Sequence, residues 1–245
     1  MIRLPSWFGG RMVGMAQRAK PQLDHAARNA IANWNALPPT ELHGPLRVQR
    51  WLVVDVETTG LDLRRDRLLA IGAVVVNGSV IRLDESFEVV LRQPAPSSTD
   101  NILIHRITGS EQLAGEPPAQ ALADFLVFAG KLPCVAFHAE FDETMLRRAF
   151  AEHLGVDFRA SFLDLALLAP ALVKDAAPEL QGLDDWTAHF SITIAERHRA
   201  ISDAMGTAQL LQKLLGIAVG QKIATAQQLF KLARHHRWLA KVGRH

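Results

Sequence analysis

Apolar positions along this chain follow two periods. "QLDHAARNAIANWNAL", residues 22–37, sets Leu23, Ala27, Ile31 and Trp34 at helical spacing. Pro38-Pro39 ends that pattern. "TELHGPLRVQR" reads as a linker with a Gly-Pro turn. From Arg50 the period shortens. "RWLVVDVE" predicts a strand, and "RLLAIGAVVVNGSVIRLDESFEVVLRQP" predicts two strands joined at Asn77-Gly78, a strong hairpin signal. "PPAQALADFLVFAG" predicts a helix entered through proline, "LPCVAFH" a short buried strand, and "AEFDETMLRRAFAEHLG" a helix closed by Gly155. "FRASFLDLALLAP" supplies another short strand. "LQGLDDWTAHF" and "AISDAMGTAQLLQKLLG" predict helices, the latter ended by Gly216, and residues 221–241 a last, basic helix.

Strand, hairpin, then alternating helix and strand make an α/β domain with a mixed sheet. The hairpin lies antiparallel at one side and parallel strands lie at the other. Ligands of such sheets gather at the C-terminal ends of the parallel strands. The expected organisation is a helical extension and linker over 1–48, an α/β domain over 49–216 and a basic helix over 217–245.

Composition narrows the setting. The chain has 245 residues, 49% of them hydrophobic, enough for a sizeable core. Its one cysteine, Cys134, excludes an intramolecular disulfide and zinc sites built on several cysteines, so a reducing cytoplasm is the expected compartment. No run of about 18 uncharged apolar residues predicts a membrane span. The basic N-terminus is broken by Pro5, Gly9 and Gly10, which argues against a signal peptide. The net charge of +2 hides a segregation. Residues 1–50 hold seven Lys/Arg and two Asp/Glu, residues 51–212 hold 13 and 23, and residues 213–245 hold seven and none. An acidic centre suits metal cations; basic ends suit a polyanion or an acidic surface, or are ordinary solvated helices.

Two acids interrupt the first strand, in "LVVDVETTGL". Asp55 and Glu57, i and i+2, leave the same face. Side by side they repel, and apolar walls drive each toward its protonated form. An edge strand with both acids in water would relieve this; so would a divalent cation with oxygen ligands, Mg²⁺ or Mn²⁺. Asp142 falls in the first turn of one predicted helix and Asp203 early in another. Singly, each fits as an acid complementing the helix dipole. His198 lies five residues before Asp203, about 140° around a helix. It can meet Asp203 only from the loop before a helix that starts near Ala200.

"DVETTG", "HAEFD" and "RHRAISDA", in this order, resemble the three motifs of the DEDDh 3′–5′ exonuclease family, most nearly its proofreading epsilon type from bacterial DNA polymerase III. "LIHRIT", 103–108, resembles that type's element between the first two motifs. The resemblance covers roughly residues 50–215. It implies a ribonuclease H-like mixed five-stranded sheet flanked by helices, and two divalent cations, Mg²⁺ or Mn²⁺. Asp55 would bridge both metals, Glu57 and Asp203 would hold the one on the nucleophile's side, and Asp142 would bind the other directly or one ligand removed. His198 would be the general base. Thr58, Thr59, Gly60 and Leu61 would hold the terminal nucleotide, Leu61 against its base, with His105 and Ile107 as secondary contacts. The family usually carries Asn where this chain has His138, so positioning of substrate beside Asp142 differs here.

The implied partner is a nucleic-acid 3′ end, single-stranded DNA first, with no membrane. The implied activity is phosphodiester hydrolysis at DNA 3′ ends, in a replicative proofreading or repair setting. The competing readings are an RNA or short-oligonucleotide exonuclease of the same superfamily and a catalytically silent binding module. The flanks fit a DNA polymerase subunit or DNA as partner. "AQQLFKL", 226–232, has a loose likeness to a sliding-clamp peptide. Trp238 among basic residues of the last helix fits nucleic acid; the favoured reading packs Leu229, Phe230, Leu232 and Trp238 on the domain.

Overall fold

The computed structural model describes residues 21–176 and 179–242. Helix α1, His25–Ala36, is capped by Asp24, whose carboxylate accepts the Ala27 N–H at 2.7 Å. Strands β1, Arg50–Thr58, β2, Leu68–Asn77, and β3, Val80–Val90, form a meander whose second turn holds Gly78 at φ 58°. Helices α2, Thr99–His105, α3, Gly109–Ala114, and α4, Pro118–Ala129, follow. Next come β4, Cys134–Ala136, α5, Glu140–His153, β5, Phe162–Asp164, α6, Leu165–Leu172, α7, Leu183–His189, α8, Ala200–Gly220, and α9, Ala226–Val242.

The sheet is five-stranded, in the order β3-β2-β1-β4-β5. The β1–β2 and β2–β3 pairs are antiparallel, and β1–β4 and β4–β5 parallel, the expected mixed architecture. β1 is therefore the middle strand, which removes the edge-strand account of Asp55 and Glu57. Its even residues Leu52, Val54 and Val56 pack in a core with α1, α4 and α5. Its odd residues Trp51 and Val53 pack in a second core with α6, α8 and α9. Asp55 and Glu57 continue the odd row past the end of the second core, where the apolar cover stops.

Several boundaries differ from the sequence pattern. α8 does not end at Gly216 but runs on to Gly220. An interior glycine costs about 1 kcal/mol, but Leu214, Leu215 and Ala218 on either side are buried and hold the helix through it. In "FRASFLDLALLAP" only Phe162–Asp164 is strand; Asp164 then caps α6 by accepting the Ala166 N–H at 3.0 Å. α9 buries Leu229 and Phe230 and partly buries Leu232, whereas Trp238 is 58% exposed. The clamp-like peptide is thus helical, with Leu229 and Phe230 turned into the core, and does not present them to a partner. Among the described residues no helix is long and apolar enough to cross a membrane.

Candidate active site

β1 delivers Asp55 and Glu57 to its C-terminal end, and α8 brings Asp203 against them. One carboxylate oxygen from each of Asp55, Glu57 and Asp203 lies within 4.8 Å of the others. The approach depends on β2. Gly72 pairs with Asp55 in register, and a Cβ there would lie 2.2 Å from the carbonyl carbon of Ala200. Only bare backbone lets the first turn of α8 settle so near β1. Asp142 enters from the first turn of α5; its Oδ1 accepts the Val56 N–H at 3.1 Å, between the two β1 acids in sequence.

His198 does stand on a loop, with α8 starting at Ala200 as expected. Its backbone is left-handed, φ 62°, and its N–H donates to Asp203 Oδ2 at 2.9 Å. The imidazole is exposed. The neighbouring Arg197, absent from the sequence-based site, pairs its Nη1 with Asp203 Oδ1 and its Nε, at 2.5 Å, with Asp184 Oδ1. A guanidinium inside an acidic segment, one residue before His198, was the available signal.

Burial dominates the electrostatics. It pushes the Asp55 carboxyl well up, and Asp142, Glu57 and Asp203 push further while Arg197 opposes. Glu57 is raised to about 8, by burial and then Asp203, again against Arg197. Asp142 is raised to about 8 by burial, although the Val56 N–H steadies its charged form. Three converging carboxylates, with Asp142 hydrogen-bonded into the same strand and one guanidinium among them, form an oxygen-only donor set short of positive charge. That set fits hard divalent cations.

The neighbouring loop is braced from several sides. The Thr58 hydroxyl donates to Gly60 O at 2.6 Å, and the Thr59 hydroxyl donates to Asp66 Oδ1 at 2.8 Å. Asn101 of α2 donates its side-chain amide to Thr59 O. The Arg148 guanidinium, on α5, bonds the carbonyls of Leu63, Arg64 and Asp66. Leu61, at the rim, is 85% exposed. His105 and Ile107 are both buried. His105 Nδ1 accepts the Ile107 N–H at 3.0 Å and its Nε2 meets the Ser97 hydroxyl at 3.2 Å, so both ring nitrogens are engaged inside the fold. With Ala70, Arg199 and Ala200 the two line a small cleft at the start of α8. His138 is exposed at φ 61°, its N–H held by Asp164 Oδ1 at 3.0 Å.

The exonuclease family model matches residues 52–211, and the chain belongs to that family. It is 30% identical over 168 residues to a PolC-type DNA polymerase III of Caldanaerobacter subterraneus subsp. tengcongensis, covering 67% of this chain and 11% of that protein. It is 32% identical over 196 residues to a DNA polymerase III subunit epsilon-like protein of Rhodobacter capsulatus, covering 78% of this chain and 27% of that one. The chain thus corresponds to a limited part of these relatives. Among solved structures, E. coli exonuclease I in complex with a dT13 oligonucleotide superposes with a TM-score of 0.58 at 21% identity, over 71% of this chain and 42% of that one. Exonuclease X in complex with 5′ overhanging duplex DNA gives 0.59 at 20% identity, over 75% and 99%.

Proposed function

We propose that the chain is a metal-dependent 3′–5′ exonuclease that hydrolyses phosphodiester bonds at DNA 3′ ends, in a proofreading or trimming role. The observation that carries the reading is the convergence of Asp55, Glu57 and Asp203 within 4.8 Å, with Asp142 hydrogen-bonded into the same strand. Asp55, Glu57, Asp142 and Asp203 would hold two divalent cations, Mg²⁺ or Mn²⁺. When bound, these would neutralise the four carboxylates and the charge that develops during in-line displacement.

The chain's own residues supply the rest. The His198 imidazole, exposed on a loop pinned to Asp203, accepts a proton from the attacking water as general base. Its loop position lets the ring reach solvent while the backbone stays registered to the acids. Thr58, Thr59 and Gly60 form a braced ledge beside the site for the terminal nucleotide, and exposed Leu61 offers its base an apolar contact. His138, exposed two residues before α5, is a further contact for the same nucleotide. Since both ring nitrogens of His105 are occupied internally, His105 and Ile107 contribute by shaping the cleft next to α8.

The solved relatives bound to dT13 and to overhanging duplex DNA, and the polymerase III names of the curated ones, favour DNA over RNA. A polymerase assembly is the matching partner. The experiment is a time course on end-labelled single strands, matched and mismatched duplex ends, and RNA, with and without chelator. Faster release at a mismatch supports proofreading, equal rates a general trimming role, and preference for RNA would overturn the DNA assignment.

A further inference from the structure

α9 turns one face to the domain and the opposite face to water. Leu229, Phe230 and Ala233 are buried. Arg237, at the flank of that face, donates to Glu140 Oε2 at 2.5 Å. Glu140 opens α5 two residues before Asp142, about 3 Å along the helix axis. The last turns of α9 are thereby fixed beside the element that carries one of the four acids.

The outer face carries Lys231, His235 and Trp238 at i, i+4 and i+7, with Arg234 next to them. All four are exposed. The Trp238 ring stacks on His235, centroids 6.1 Å apart and 28° between planes. Among the described residues neither Lys231 nor Arg234 has a carboxylate partner. Core packing explains Leu229 and Phe230, but it does not explain a tryptophan stacked on a histidine in solvent at the end of a stripe that carries Lys231 and Arg234.

The catalytic segment poses a problem that such a face would answer. Residues 51–212 carry 23 acids against 13 Lys/Arg, so their field repels a phosphate chain, whereas residues 213–245 carry seven cations and no acid. We propose that the outer face of α9 binds the body of the single strand whose 3′ end lies at Asp55, Glu57 and Asp203. Lys231 and Arg234 contact phosphates, and Trp238, backed by His235, stacks a base. Basic side chains that track the backbone, with an aromatic for a base, form the usual sequence-tolerant single-strand platform. The stripe from Lys231 to Trp238 spans about 10 Å. The inference rests on the 3′-end exonuclease reading for the polarity of the strand.

The test is binding of a 5′-fluorescein-labelled oligothymidylate of about twelve nucleotides to the full chain in chelator, by anisotropy over a range of KCl. Two variants are compared with the unaltered chain: Lys231→Gln with Arg234→Gln, and Trp238→Ala. Each should weaken binding about tenfold. The charge variant should also flatten the salt dependence by about 1.4 in log–log slope, about 0.7 for each phosphate no longer neutralised. All three positions face water, so melting curves should match the unaltered chain. Affinities and slopes equal to the unaltered chain would overturn the proposal, as would absence of binding by the unaltered chain. Because binding is read without hydrolysis, the exonuclease reading fails separately, if the unaltered chain with Mg²⁺ or Mn²⁺ releases no nucleotide from the same strand.

Discussion

Gly72 lies under Ala200 so closely that a Cβ would come within 2.2 Å of the Ala200 carbonyl carbon. The same glycine stands across from Asp55 in the β1–β2 register. One residue with no side chain thus seats the first turn of α8, and with it Asp203, beside the acids of β1. Gly72→Ala should lift that turn, at a cost of about 1–3 kcal/mol for an overpacked site. Thermal unfolding measures the loss. Titration of the folded variant with Mn²⁺ should show weakened binding, and an unchanged affinity would separate the glycine from the site.

His198→Ala should leave metal and strand binding near their original values and lower turnover about 10²- to 10⁴-fold. The bond from residue 198 to Asp203 is made by the backbone N–H, which alanine keeps. Single-turnover rates at saturating metal are the measurement. Near-normal rates would remove the general-base role.

Without metal, stability should fall as pH rises. Glu57 and Asp142 are raised to about 8 from ordinary values of 4.5 and 3.8. The folded chain therefore holds protons that the unfolded chain has released, and stability declines between about pH 4 and pH 8. Melting temperatures in chelator should drop across that window. Added Mg²⁺ or Mn²⁺ should raise them more at pH 8 than at pH 5, where protons compete for the carboxylates. A flat profile in chelator would show that the acids are not held protonated by the fold.

Arg197 competes with cations for Asp203, through its Nη1 contact with Oδ1. It also opposes the upward shifts of Asp55 and Glu57. Arg197→Ala should destabilise the metal-free protein and tighten divalent binding, both read in one series of melts against metal concentration. Weaker metal binding in the variant would reverse this account and make Arg197 a support of the metal-loaded site.

The strands were legible because each rests on a local pattern; the four acids stood out only together, through the order of the three motifs that carry them. Leu52, Val54 and Val56 take one face of β1 and Val53 shares the other with Asp55 and Glu57, and "HAEFD" and "RHRAISDA" keep their acids in first helical turns. The sequence also placed His198 on a loop, since five residues of helix would have turned it away from Asp203. What stayed illegible depends on contacts across long separations. Asn101 bonding Thr59, Arg148 gathering the carbonyls of residues 63, 64 and 66, and Gly72 under Ala200 leave no periodic trace. Gly216 alone predicts a helix end, while the burial of Leu214, Leu215 and Ala218 carries α8 on to Gly220. Trp238 lies nine residues, about 180° around the helix, from Leu229, so helical spacing itself sets it against packing on the domain with Leu229, and it is exposed.

The most direct measurement follows a 5′-labelled DNA strand on a sequencing gel with Mg²⁺ or Mn²⁺, for the unaltered chain and for Asp55→Ala. The unaltered chain should shorten the strand stepwise from its 3′ end, and chelator or Asp55→Ala should abolish the shortening. Shortening that persists in Asp55→Ala, or products cut internally or from the 5′ end, would contradict it.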